Sequence, residues 1–254
     1  MSSERCRVEV RGRIASYREA GSGVAAIVTA GLGLTSRFYE ESYAAFAAAG
    51  IHLVVPDLPG WGDTPGPRTG LNPADTARFL SDFAHARGIR RAVWIGHSLG
   101  AQAVVHLAER RPDLAAGIVL VGPTGAPGRF ELARQAWGLA VEARRTSLDV
   151  IAAVGREYVR TSPVRYVGTW LRHSRDELPG RLRRIQCPAL ILAGDADPVC
   201  RPEFIELLRH RLPHAEVEWV RGGTHALPRG HTAEFNRRVI EFIRRITAES
   251  AVRT

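Results

Sequence analysis

The sequence predicts an α/β protein with one mostly parallel, eight-stranded sheet, helices on both faces and a helical cap inserted between two late strands. Three observations predict it. Short runs dense in Val, Ile and Leu recur along the chain and alternate with longer alanine-rich or amphipathic stretches. Most of these runs lack polar alternation, as strands buried on both faces do, and such strands belong to a parallel sheet covered by helices. One long stretch, residues 125–186, has helical character and no buried strand.

The elements follow in order. Arg7 to Ala20 alternates as a hairpin, with Val8, Val10, Ile14 and Tyr17 apolar and Gly12 near the bend. Buried strands are expected at Ala25–Thr29, His52–Val55, Ala92–Ile95, Gly117–Val121, Ala189–Ala193 and Glu216–Val220. Helices are expected at Glu40–Ala49, Pro73–Arg87, Ala101–Arg110, Pro202–Arg211 and Thr232–Thr247. Counting the hairpin gives eight strands, antiparallel at first and then parallel. Residues 1–124 and 187–254 form the core, and residues 125–186 form the cap. The cap lies over the carboxyl ends of the strands, where ligands bind in open α/β sheets.

Composition narrows the function. At 254 residues and 45% hydrophobic content, the chain is long enough to bury a sizeable core. No apolar run reaches the roughly 18 residues of a membrane span. The polar start carries no signal-peptide core, so a cytoplasmic protein is expected. Cys6, Cys187 and Cys200 cannot all pair and match no zinc spacing, so neither a disulfide framework nor a metal is expected. The net charge of +9 is carried entirely by arginine, and 12 of the 35 arginines lie in the cap against 6 acids. No nucleic-acid-binding signature accompanies that charge, which is read as a solvated surface or as attraction for an anionic substrate.

The chemistry centres on Gly96-His97-Ser98-Leu99-Gly100, between the strand Ala92–Ile95 and the helix from Ala101. Gly-x-Ser-x-Gly in a strand–turn–helix context presents a serine at the sheet edge on a turn so tight that small neighbours are required. A serine hydroxyl needs a base to attack near neutral pH. Of nine histidines, His225 alone lies just beyond a late strand in a glycine-containing loop, Arg221-Gly-Gly-Thr-His225. His97 should point elsewhere, and His231 reads as surface. The base in turn needs a carboxylate to fix its tautomer and stabilise the imidazolium. Asp195 and Asp197 compete in Gly194-Asp-Ala-Asp197-Pro198. Asp197, further along the loop, is better placed to face His225, while Asp195 should bind loop backbone. For a developing oxyanion, the backbone N–H of Leu99 follows the nucleophile, and the N–H of Leu32 is offered by the loop Ala30-Gly31-Leu32-Gly33.

With Pro56-Asp-Leu-Pro-Gly-Trp-Gly62, these stretches resemble the α/β-hydrolase superfamily, in particular its small capped serine hydrolases of the ester and lactone hydrolase type. The likeness runs from about residue 7 to residue 247. It implies the α/β-hydrolase fold with an inserted helical cap, a Ser98–His225–Asp197 triad and a backbone-shaping role for Asp57. Where many members carry His-Gly, this chain has Ala30-Gly31; the oxyanion donor is a backbone N–H, so it survives that change. A serine nucleophile argues against the epoxide hydrolase and haloalkane dehalogenase branches, which attack with a carboxylate.

The function expected is hydrolysis of a small carboxylic ester, lactone or thioester, with no cofactor and with a small-molecule acyl substrate as the partner. The cap aromatics Phe130, Trp137, Tyr158, Tyr166 and Trp170 are candidates to line the pocket. Three alternatives are a carbon–carbon bond hydrolase or lyase on the same triad, a non-catalytic ligand-binding member of the fold, and, on charge alone, a nucleic-acid-binding module.

Overall fold

The computed structural model describes residues 3–126, 131–159, 161–176 and 178–252. The hairpin pairs β1 (Glu4–Val10) with β2 (Arg13–Ala20) in antiparallel register, Val10 opposite Arg13. Its two-residue turn, Arg11-Gly12, holds both residues at positive φ, 49° and 76°, as a twist-matched hairpin turn requires. Six further strands follow: β3 (Val24–Thr29), β4 (Ile51–Pro56), β5 (Ala92–His97), β6 (Ala115–Val121), β7 (Ala189–Gly194) and β8 (Ala215–Val220). They complete one sheet in the order β1-β2-β4-β3-β5-β6-β7-β8, with every pair from β4 onward parallel.

The apolar runs of β3 to β7 are largely buried, whereas β8, expected to be buried as well, lies at the sheet edge with only Val220 buried. Every residue of β5 and β7 is buried, and alternate side chains pass to opposite sides. Ile27 and Trp94 join one core layer with Leu80 and Phe83 of α2 (Pro73–Ala86), Val104 of α3 (Leu99–Arg110) and Leu208 of α7 (Pro202–Arg211). Val28 and Ile95 join the other with Phe46 of α1 (Glu40–Ala48) and Phe235, Val239 and Phe242 of α9 (Thr232–Val252). The outer strand β1 carries Glu4, Arg5, Arg7 and Glu9, charges that discourage pairing at an open edge.

Between β6 and β7 the chain forms α4 (Glu131–Arg145), α5 (Leu148–Val159) and α6 (Pro163–His173), the inserted helices expected from the strandless stretch. A short α8 (Leu227–Gly230) precedes α9. Two polar anchors tie α6 to the core. Arg165 donates to the carbonyls of Gly60 (2.7 Å) and Pro67 (3.0 Å), and buried His173 Nδ1 faces the Gln102 side chain of α3 at 2.8 Å. Among the described residues, no helix is long and apolar enough to cross a membrane.

Candidate active site

The turn from β5 into α3 holds Ser98 at φ 55°, ψ −119°, a conformation an L-residue adopts only at a cost of about 1–3 kcal/mol. Its neighbours make the turn possible. A Cβ on Gly100 would sit 2.2 Å from the Thr29 carbonyl oxygen, and one on Gly96 2.6 Å from the Ala101 Cα. The Ser98 N–H is held by the Val121 carbonyl at 2.9 Å, so the strain is confined between two anchored elements.

His225 reaches Ser98 from the loop after β8, with Nε2 2.9 Å from the Ser98 Oγ. Its Nδ1 lies 2.8 Å from Asp197 Oδ2. A carboxylate only accepts, so Nδ1 carries the proton and Nε2 is left to take the proton of Ser98. Asp197 is fixed in turn: its Oδ1 accepts from Val199 N–H (2.7 Å) and Cys200 N–H (2.9 Å), and its side chain is fully buried. Gly122, at φ +48°, lies where a Cβ would come within 3.2 Å of both Asp197 Oδ2 and His225 Nδ1. Burial alone would lower the basicity of His225. The charge and hydrogen bond of Asp197, with a further contribution from Glu142, outweigh it and raise the imidazole above its usual 6.5.

Asp195 accepts from Gly222 N–H at 2.6 Å, the backbone role the sequence suggested for it. His97 points away from Ser98. Its Nε2 donates to the His225 carbonyl at 3.0 Å, and its Nδ1 accepts from the Tyr39 hydroxyl at 3.2 Å. Burial, with the neighbouring His225, lowers it to about 4, which keeps it neutral. It therefore steadies the backbone of His225, a role that its place beside the serine did not reveal. His231 is half-buried rather than on the surface.

Leu99 opens α3, where a helix leaves its first N–H groups without an intrahelical acceptor. The Gly31 Cβ position lies 3.2 Å from the Ser98 Cβ, which brings the Leu32 loop over the serine. Leu32, Leu99, Ser98 and His225 share a small cavity of about 60 Å³. Tyr158 and Trp170 line it from the cap with Leu139 and Gln135, and Trp170 Nε1 donates to Gln135 Oε1 at 2.9 Å.

The other cap aromatics fall elsewhere. Tyr166 lies beside the cavity, packed edge-on against Tyr158 and Trp61, and its hydroxyl donates to the Leu32 carbonyl. Trp137, expected to line the pocket, is instead 70% exposed and cannot line the cavity. The buried stripe of α4 is Glu131, Gln135, Gly138 and Glu142, at helical spacing, and it leaves Trp137 facing outward. Phe130 lies outside the described residues. A wider cleft of about 940 Å³ beside α5 contains none of Ser98, His225 and Asp197; two of its arginines, Arg18 and Arg229, pair with Glu40 and Glu41 at 3.3 Å. Among the described residues, no group of three or more His, Cys, Asp or Glu side chains is placed to hold a metal ion.

A family model described as the alpha/beta hydrolase family matches residues 26–238. The chain belongs to that family. This α/β-hydrolase is 28% identical over 264 residues to a 2-hydroxy-6-oxononadienedioate/2-hydroxy-6-oxononatrienedioate hydrolase of Burkholderia vietnamiensis, with 90% of each chain covered. Among solved structures, it is similar in fold to a thermophilic esterase from Thermogutta terrifontis (TM-score 0.83, 18% identity, 96% of this chain and 99% of that one). It is comparably similar to the enol-lactonase from Burkholderia xenovorans (TM-score 0.82, 19% identity, 94% and 99%).

Proposed function

We propose that the chain is a serine hydrolase that cleaves a small carboxylic ester, lactone or thioester through an acyl-enzyme on Ser98, beneath a cap formed by residues 125–186. One observation carries this reading: an unbroken hydrogen-bonded line from Ser98 Oγ through His225 to Asp197, 2.9 and 2.8 Å long, on a strained turn that faces a cavity.

The mechanism follows from the geometry. Ser98 Oγ attacks the carbonyl carbon as His225 Nε2 takes its proton, and Asp197 stabilises the imidazolium. The carbonyl oxygen gains charge and is received by the Leu99 and Leu32 N–H groups. His225 then protonates the leaving alkoxide or thiolate as its bond to the carbonyl carbon breaks. In the second half His225 takes a proton from water, hydroxide attacks the acyl carbon, and Ser98 is released with its proton restored. These steps need no metal or organic cofactor.

A second reading is carbon–carbon bond hydrolysis on the same triad, favoured by the likeness to the 2-hydroxy-6-oxononadienedioate/2-hydroxy-6-oxononatrienedioate hydrolase of Burkholderia vietnamiensis. A single panel separates the two. Short-chain aryl esters and a vinylogous diketone acid are assayed with wild type and Ser98→Ala. Ester turnover lost in the alanine variant supports the first reading. Turnover of the diketone alone transfers the proposal to the second.

A further inference from the structure

Glu142 is a carboxylate from the cap buried against the base. It is 7% exposed on the inner stripe of α4. Its Oε1 accepts from the N–H of Ala226, the residue after His225, at 3.1 Å, and its Oε2 is buried with no hydrogen-bond partner among the described residues. Burying a carboxylate without full pairing is costly, and an apolar residue here would avoid that cost only by leaving the Ala226 N–H without its acceptor. Four residues earlier on the same helix, Gly138 lies against the acid loop, where a Cβ would come 2.6 Å from the Pro198 carbonyl oxygen. One cap helix thus touches both the loop that carries Asp197 and the loop that carries His225.

We propose that Glu142 is a positioning residue for the base: it holds the His225 loop through the Ala226 N–H and adds a second negative charge to the imidazolium that forms when Ser98 gives up its proton. The role rests on the reading of His225 as general base. The titratable groups that face His225 are Asp197, hydrogen-bonded to Nδ1; His97, with ring centroids 5.6 Å apart; and Glu142. His97 stays neutral, so Asp197 and Glu142 supply the negative charge. The electrostatic balance at His225 includes Glu142 as a raising influence, behind burial and Asp197. Because Glu142 belongs to the cap, the seating of α4 and the basicity of His225 are linked.

The sign of the effect is fixed. His225 acts as a base only when neutral, and a nearby carboxylate raises its pKa. Removing that charge moves the acidic limb of the rate profile to lower pH and weakens stabilisation of the imidazolium on the plateau. The test is the rate of Ser98 phosphonylation by a small fluorophosphonate between pH 5 and 9, for wild type, Glu142→Gln and Glu142→Ala, with thermal melts alongside.

Glutamine keeps an acceptor for Ala226 but loses the charge. Its limb should fall by about half a pH unit and its plateau by about three- to ten-fold. Alanine loses both, so its plateau should fall further, with glutamine giving partial rescue. Profiles that superimpose on wild type for both variants overturn the proposal even if the melting temperature drops, because a merely structural residue would behave that way. If Glu142→Ala does not fold, Glu142→Gln decides alone. A wild type that does not label at all sinks the acyl-enzyme reading and this role with it. A wild type that labels while the Glu142→Gln profile stays unshifted sinks only the role.

Discussion

Tyr166, on the cap helix α6, donates its hydroxyl to the Leu32 carbonyl at 2.9 Å, and so braces the loop proposed to offer the second oxyanion donor. The contact depends on Gly33. At φ +76° its Cβ position lies 1.9 Å from the Tyr166 oxygen, so no side chain fits there. With Ala30 in place of the histidine common in the family, this cross-link helps to steady the loop, alongside the bond from Leu34 N–H to the Gly31 carbonyl at 3.1 Å. Tyr166→Phe should lower kcat about three- to thirty-fold with little change in KM, and should cost about 1 kcal/mol of stability. Gly33→Ala should be worse on both counts. Steady-state kinetics and thermal melts of the two variants check this; a Tyr166→Phe enzyme that raises only KM would assign Tyr166 to substrate contact instead.

The cavity over Ser98, about 60 Å³, is small beside the roughly 300–1,000 Å³ of ordinary ligand pockets. With the cap seated as observed, it has room for a short acyl group. Acetate and propionate aryl esters should therefore be preferred to hexanoate. Leu139→Ala, which removes a side chain from the cavity wall, should shift kcat/KM toward butyrate and hexanoate. A wild type that prefers long acyl chains would mean that the cap lifts before substrate binds.

Acid should destabilise the fold well before the carboxylates titrate. Buried His97 is lowered to about 4, and buried His173 to about 3, chiefly by burial in each case. For a group depressed in the folded state, stability is fully present above the unfolded value near 6.5 and is lost as pH falls toward the folded value. The two histidines together represent several kcal/mol across that window. His225 works in the opposite direction, because it is raised: its contribution is complete below about 6.5 and disappears as pH rises through the folded value. Two buried histidines depressed to about 4 and about 3, against one that is raised, predict a lower melting temperature at pH 5 than at pH 7.5. A melting temperature that is flat or rises on acidification would contradict the buried, neutral assignment of His97 and His173.

The strain at Ser98 should appear as stability once the serine is removed. At φ 55° alanine keeps the penalty, whereas glycine relieves about 1–3 kcal/mol of it and loses part of that gain to chain entropy. Ser98→Gly should be inactive and should melt above both wild type and Ser98→Ala. If glycine melts below alanine at this position, the turn is not strained.

Much of this was legible in the sequence. Five of the six runs appear as the buried strands β3 to β7 because a strand covered by helices on both faces needs dense Val, Ile and Leu without polar alternation, and short runs of that kind are too brief for helices; the sixth, β8, is a strand but an edge one, whose Glu216 and Glu218 alternate with apolar residues and of which only Val220 is buried. The elbow was legible because Gly96 and Gly100 mark a backbone too crowded for any Cβ. Asp197 was separable from Asp195 because position along a loop controls which way a side chain can turn. The cap was less legible. Its helices follow from periodicity, but which face turns inward depends on what α4 meets, and here that is the Pro198 loop and Ala226, both distant in sequence. For that reason the sequence does not tell that Trp137 faces outward, and Glu142, an ordinary glutamate in a run of helix formers, carries no signal apart from its place on a stripe with Glu131, Gln135 and Gly138. His97 carried a signal, its place beside the serine, but its two hydrogen bonds exist only in the folded chain.

The most direct measurement is rapid-quench mass spectrometry of the wild type mixed with excess p-nitrophenyl acetate, followed by peptide mapping. One acetyl group should appear on the peptide containing Ser98 within the first turnover, and it should be absent in Ser98→Ala. Turnover without any covalent adduct on Ser98, or an adduct on another residue, would contradict an acyl-enzyme at this serine.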